Sequence, residues 1–168
     1  MAEILARTLA DPSGRPLNIF ATLAHHPRLL NRFNVLGGLF LGRGLLPARE
    51  RELVILRTGW RTRCEYEFGQ HVLLGRRAGL GDDEIRRVAI EDADWPPDDA
   101  LLIRLSDEIH MTRDVSDELW EALSGRWDHP ALLELVALAG FYGMVAGLLN
   151  AARVRRDPGV PGWPGASG

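Results

Sequence analysis

Two adjoining stretches decide how this chain is read. The first is Pro47-Ala48-Arg49-Glu50-Arg51-Glu52-Leu53-Val54-Ile55-Leu56-Arg57. The second is Arg63-Cys64-Glu65-Tyr66-Glu67-Phe68-Gly69-Gln70-His71-Val72-Leu73-Leu74. Pro47 suits the first turn of a helix, where its missing N–H costs nothing. The spacing predicts one helix from Pro47 to about Trp60 and another from Arg63 to Ala78, closed by Gly79. The short link from Gly59 to Thr62 makes the two antiparallel neighbours.

The same punctuation recurs on both sides. Helices are expected from Leu17 to His25, Pro27 to Leu41, Gly81 to Glu91 and Pro97 to Thr112. Two more are expected from Asp117 to Leu123 and from His129-Pro130 to about Arg153. Acidic Asp82-Asp83-Glu84 favours a helix N-terminus, and Ser116 is a good N-cap. No segment alternates with period two over β-branched residues, so the fold class is all-α, a single domain of about eight helices with short Pro/Gly connections. The expected division is an N-terminal arm over 1–16, the helical domain over 17–155 and a flexible Pro/Gly-rich tail over 156–168. From Asp157 on, twelve residues hold four glycines and three prolines.

Composition excludes several kinds of chemistry. The chain has 168 residues and a net charge of −3, which is no footprint for nucleic acid. All 20 basic residues are arginine, so a Schiff-base lysine and a P-loop are both excluded. The single cysteine, Cys64, rules out an intramolecular disulfide and a thiolate-rich zinc site and fits a reducing, cytoplasmic setting. No His-x-x-x-His or Glu-x-x-His cluster suggests a metal site, and no cofactor is expected. The apolar run from Ala131 to Leu149 reads as a buried core helix rather than a membrane span. No basic, then apolar, leader is expected at the N-terminus.

The residues that suggest chemistry are Cys64, Glu67 and His71. At about 100° per residue they fall within about 60° of arc, on the stripe that continues through Phe68, Gly75 and Ala78. A buried carboxylate needs a partner, and His71, one turn on, is the nearest for Glu67. Glu52, on the preceding helix, brings a second carboxylate toward the same histidine, where two acids would tune its basicity and relay a proton. Bland readings stand beside these. Cys64 is equally a small buried hydrophobe, Glu67 and His71 an ordinary i,i+4 pair, and Glu52 a partner of Arg49 or Arg57. His25-His26 reads as a helix end, His129 as a flanking residue, and His110 faces either way.

Glu52, eleven intervening residues, Cys64, Glu67 and His71 resemble the alkylhydroperoxidase D (AhpD) and carboxymuconolactone decarboxylase superfamily. The flanks Leu46 to Leu53 and Ala78 to Ile85, and the distal helix with Tyr142, Met144 and Asn150, are similar as well. The redox branch carries Cys-x-x-Cys followed by three residues and a histidine, and this chain departs from it at Glu67. Two thiols on one helix turn cycle between dithiol and disulfide, which Cys64 alone cannot do within one chain. The resemblance implies an AhpD-like helical fold and a trimer, or a hexamer of such subunits. It implies a decarboxylase-like lyase or proton-transfer enzyme on a small carboxylated substrate, with His71 as general acid or base, Glu67 and Glu52 tuning it and Cys64 lining the pocket. Two alternatives are a one-cysteine peroxidase served by an external thiol and a non-catalytic oligomeric binding protein.

Overall fold

The computed structural model describes residue 10 and residues 13–165, and the described residues form eight helices. They are α1 Asn18–Leu23, α2 Pro27–Gly42, α3 Ala48–Arg61, α4 Glu65–Arg77, α5 Asp82–Arg87, α6 Pro97–Thr112, α7 Asp117–Ser124 and α8 His129–Ala151. Among the described residues there is no strand, only an isolated bridge between Ala10 and Pro16. Most of the expected N-terminal arm lies outside the described residues.

The turn joining α3 to α4 explains how the site is assembled. Thr62 ends α3, and Arg63 adopts the left-handed conformation with φ of 53°. The Arg63 N–H then donates to Trp60 O and the Cys64 N–H to Gly59 O, which satisfies the last carbonyls of α3. An arginine does here what glycine usually does, so Gly-based reading places the α4 start too early. Arg63 lies outside the helix, and Cys64 is its N-cap with extended backbone. The reversal brings the helices together at Gly59, where an added Cβ would stand 3.3 Å from the Phe68 backbone nitrogen. At Gly75 a Cβ would meet Leu80 and Leu56 at 3.1 and 3.3 Å. Backbones this close leave only short side-chain reaches between the facing positions.

Helices α4, α6 and α8 all pack on α3. The core is a continuous set of fully buried apolar side chains, including Leu53, Ile55, Leu56, Phe68, Leu102, Leu105, Leu135 and Leu138. Helix α8 is long and apolar enough to cross a membrane by length and composition, yet half of its most apolar window is buried in this core.

Two further expectations differ. Helix α5 stops at Arg87 rather than continuing to Glu91. The fully buried Arg57 guanidinium takes the Val88 and Ile90 carbonyls as acceptors and is paired by Asp107 at 2.7 Å, so the chain after Arg87 serves a buried cation instead of a helix ladder. The tail, expected to be flexible, lies against the domain through residue 163. The Asp157 carboxylate accepts from the Tyr66 hydroxyl at 2.6 Å, from Gln70 Nε2 at 2.8 Å and from the Asn18 N–H that opens α1 at 3.0 Å. Trp163 packs on Trp60 and Phe68, each with ring centroids 5.2 Å away. Gly69 lets the tail approach, since a Cβ there would run into the Pro161 carbonyl. Composition alone carries none of these contacts.

Candidate active site

Glu52 sits in the middle of α3 and His71 in the middle of α4, facing each other across the antiparallel seam. Nδ1 of His71 lies 2.6 Å from Glu52 Oε2, and both side chains are buried. The other Glu52 oxygen accepts from Arg51 Nε at 2.9 Å. Burial pushes the Glu52 carboxyl upward, but His71 and Arg51 outweigh it and hold the group below its ordinary value, as a carboxylate. A carboxylate at Nδ1 selects the tautomer with the proton on Nδ1 and leaves Nε2 free for work. Tyr142 of α8 meets the imidazole edge-on, with centroids 4.9 Å apart, and so fixes the ring from the other side.

The Glu67 carboxyl corrects the expected pairing. It is 2% exposed, and neither oxygen has a hydrogen-bond partner. His71 is claimed by Glu52 instead, because that residue lies directly across the seam. Burial without a partner pushes the Glu67 carboxyl well above its usual range, toward the neutral form. Glu52 likewise takes neither Arg49 nor Arg57. Arg49 pairs with Asp99 at 2.7 Å and also with Glu84, while Arg57 is held by Asp107.

Cys64 is fully buried beneath the start of α4. Burial and the neighbouring Glu67 push its thiol up to about 12, against the pull of the Tyr66 and Glu67 backbone N–H groups. It does not line the cavity beside His71. That cavity, about 420 Å³, is walled by Ile19 and Phe20 of α1, Phe33, Gly37, Gly38 and Leu41 of α2, and Phe141, Tyr142, Val145 and Leu149 of α8. Glu67, Gln70, His71 and Leu74 of α4 form its polar side, with Tyr66 and Asn34 at the edge. Among the described residues no arginine lines it. Glu67 and His71 thus converge on one small chamber, Glu52 supports His71 from behind, and Cys64 lies apart. Among the described residues no group of three or more acidic, histidine or cysteine side chains is placed to hold a metal ion.

Reasoning from sequence missed Arg51, Gln70 and Tyr142 as contributors. Arg51 adjoins Glu52 in sequence, and that adjacency is the signal that was there to find. Tyr142 had none in periodicity, because α8 is apolar on every side.

An all-α bundle with a buried Glu–His pair beside an apolar chamber has the AhpD-like fold. Residues 27–102, which carry Glu52, Cys64, Glu67 and His71, match the Carboxymuconolactone decarboxylase family. It is similar in structure to the alkylhydroperoxidase AhpD core of a peroxidase-related protein from Ralstonia eutropha, with a TM-score of 0.82 and 24% identity over 94% of this chain and 87% of that one. A peroxidase-related protein from Silicibacter gives a TM-score of 0.79 and 15% identity over 89% of this chain and 81% of that one. The debrominase Bmp8 in complex with 2,3,4-tribromopyrrole gives 0.69 and 12% identity, over 86% and 79% of the two chains. No curated protein matches the chain significantly.

Proposed function

We propose that the chain is a lyase-type proton-transfer enzyme acting at a carbon next to a carbonyl group. One observation carries this reading: an imidazole backed by a carboxylate and an unpartnered neutral carboxyl face the same chamber. An imidazole and a carboxyl on one chamber offer a base and an acid to the same guest. Nε2 of His71 removes or returns the proton on carbon. The Glu67 carboxyl donates a hydrogen bond to the carbonyl oxygen, where negative charge develops. Glu52 stays ionised, orients the ring and balances its positive charge.

Little supports the one-cysteine peroxidase reading. That chemistry needs an accessible thiolate, whereas Cys64 is buried, protonated and off the cavity. The test uses an unsaturated lactone, α-angelica lactone, in heavy water, with nuclear magnetic resonance following deuterium entry at the ring carbon. γ-Carboxymuconolactone and an organic hydroperoxide with dithiothreitol run in parallel. Exchange that His71→Gln abolishes supports the reading, and decarboxylation would show that the chamber admits a carboxylate. Hydroperoxide consumption that requires Cys64, without either of the others, overturns it.

A further inference from the structure

We propose that the chamber beside His71 is built for an uncharged, mostly apolar ring compound bearing one carbonyl-type acceptor, and that it excludes carboxylates. The proposal rests on the reading that His71 and Glu67 face the reacting atoms, and it names the class of substrate they meet. It departs from the carboxylated substrate expected from the sequence.

Three features of the walls point this way. First, among the described residues no free cation lines the chamber: its lining holds no arginine, and the chain has no lysine. The Arg51 guanidinium beside Glu52 is spent on Glu52 and on the Phe40 and Leu41 carbonyls. Any positive charge on His71 already faces the Glu52 carboxylate at 2.6 Å. A second carboxylate entering from solvent would lose its hydration and find no counter-charge of its own. Second, the apolar walls are aromatic. Phe33 lies against Phe141 with centroids 5.3 Å apart, and Phe141 against Tyr142 at 5.4 Å, so the chamber offers ring faces and edges to a planar guest. Third, the polar side holds one group that still needs a partner. Both Glu67 oxygens are buried and unbonded, and a single acceptor on the guest would satisfy the acid. A chamber of about 420 Å³ lies in the range used for small molecules.

A matched pair of probes isolates the charge. Methyl benzoate and benzoate share a ring and a carboxyl carbon, and only benzoate is an anion at neutral pH. Titration calorimetry on the full chain should show methyl benzoate binding at least about tenfold more tightly, since each factor of ten is only about 1.4 kcal/mol. Gly37→Leu should weaken methyl benzoate by a similar factor. A Cβ at Gly37 meets only the Phe141 ring, at 3.7 Å, so the new side chain enters the chamber. If that variant fails to fold, Gly37→Ala is the milder filling change, and it raises helix propensity. Three results overturn the proposal: benzoate binding as tightly as its ester, no binding of either probe, or methyl benzoate binding that ignores both Gly37 variants. The functional reading fails separately. If methyl benzoate binds as expected while His71→Gln turns over lactone at the wild-type rate, the chamber keeps its ligand class and loses its proposed chemistry. If benzoate binds better while His71→Gln is inactive, only the ligand class falls.

Discussion

Glu52 and His71, nineteen positions apart, meet at 2.6 Å across the α3–α4 seam, with the Glu52 carboxylate closed on its other side by Arg51. The pair exists because the left-handed turn at Arg63 folds α4 back along α3 and glycines at 59 and 75 let the two backbones approach. Its consequences for rate and for stability separate cleanly. His71→Gln removes the proton-transfer group and should lower turnover by about 10²- to 10⁴-fold. Glu52→Gln keeps the shape and a hydrogen-bonding oxygen but loses the charge, so turnover should fall in the same direction. Glu52→Ala strands Arg51 and the His71 Nδ1 proton and should cost about 3–5 kcal/mol in urea unfolding. The Glu52 carboxyl lies below its ordinary value in the folded chain, so its stabilisation is present above the unfolded value of 4.5 and is lost as pH falls through the folded one. The stability gap between the wild type and Glu52→Gln should therefore narrow below pH 4.5. A gap that stays constant with pH would show that the charge is not what holds the pair.

Most of the helical frame was legible from prolines and glycines. Pro27, Pro47, Pro97 and Pro130 mark starts, and Gly79 marks a stop, because each restricts or frees one backbone torsion independently of the rest of the fold. Spacing singles out Glu52, Cys64, Glu67 and His71, but it gives neither their pairing nor the place of Cys64 off the cavity. Helical spacing places His71 one turn from Glu67, whereas the structure gives it to Glu52. Which partner wins is settled by the seam between two helices, and that depends on close approach at Gly59 and Gly75. The packed tail was illegible for a related reason. Asp157 and Trp163 are held by residues about a hundred positions earlier, and local composition carries no trace of them.

The neutral Glu67 acid has its own signature. Its folded value lies above the unfolded 4.5, so the folded chain keeps a proton that the unfolded chain releases. Stability therefore falls as pH rises above 4.5, by at most about 1.4 kcal/mol per pH unit, until the folded value is passed. Glu67→Gln removes the titration. Unfolding midpoints should show the variant gaining on the wild type as pH increases from 4.5 upward. Parallel curves for the two proteins would mean that Glu67 is ionised and partnered in the folded chain.

Cys64 should behave as a buried hydrophobe. With the thiol pushed up to about 12 by burial and by Glu67, iodoacetamide should leave the native protein unlabelled at pH 7 and alkylate it fully in urea. Cys64→Ala should retain lactone turnover. Rapid native labelling would restore the thiol reading.

Self-association is a proposal carried over from the family resemblance, and surface apolar groups support it. Leu29, Val35, Leu36 and Leu39 of α2 and Leu133 and Met144 of α8 are exposed in the single chain. Light scattering at micromolar concentration should give the mass of several subunits, three being favoured. A monomer would show that these side chains are simply tolerated at the surface.

The tail should contribute to stability and to the shape of the chamber. The Asp157 carboxylate is 3% exposed and joins three elements: the first N–H of α1, the Tyr66 hydroxyl and the Gln70 amide. Tyr66 and Gln70 also line the cavity, and the Tyr66 hydroxyl accepts from the Ile19 N–H at 3.1 Å, so α1 is held on both sides. Asp157→Ala leaves donors without an acceptor, at about 1–3 kcal/mol for each that stays buried. The melting temperature should drop, and α1 should lose protection from hydrogen exchange before α3 does. Trp163→Ala removes a different contact, the aromatic cluster with Trp60 and Phe68. It should lower stability while leaving exchange in α1 unchanged. Exchange in α1 that is the same in Asp157→Ala and the wild type would show that the tail rests on the domain without holding the chamber wall.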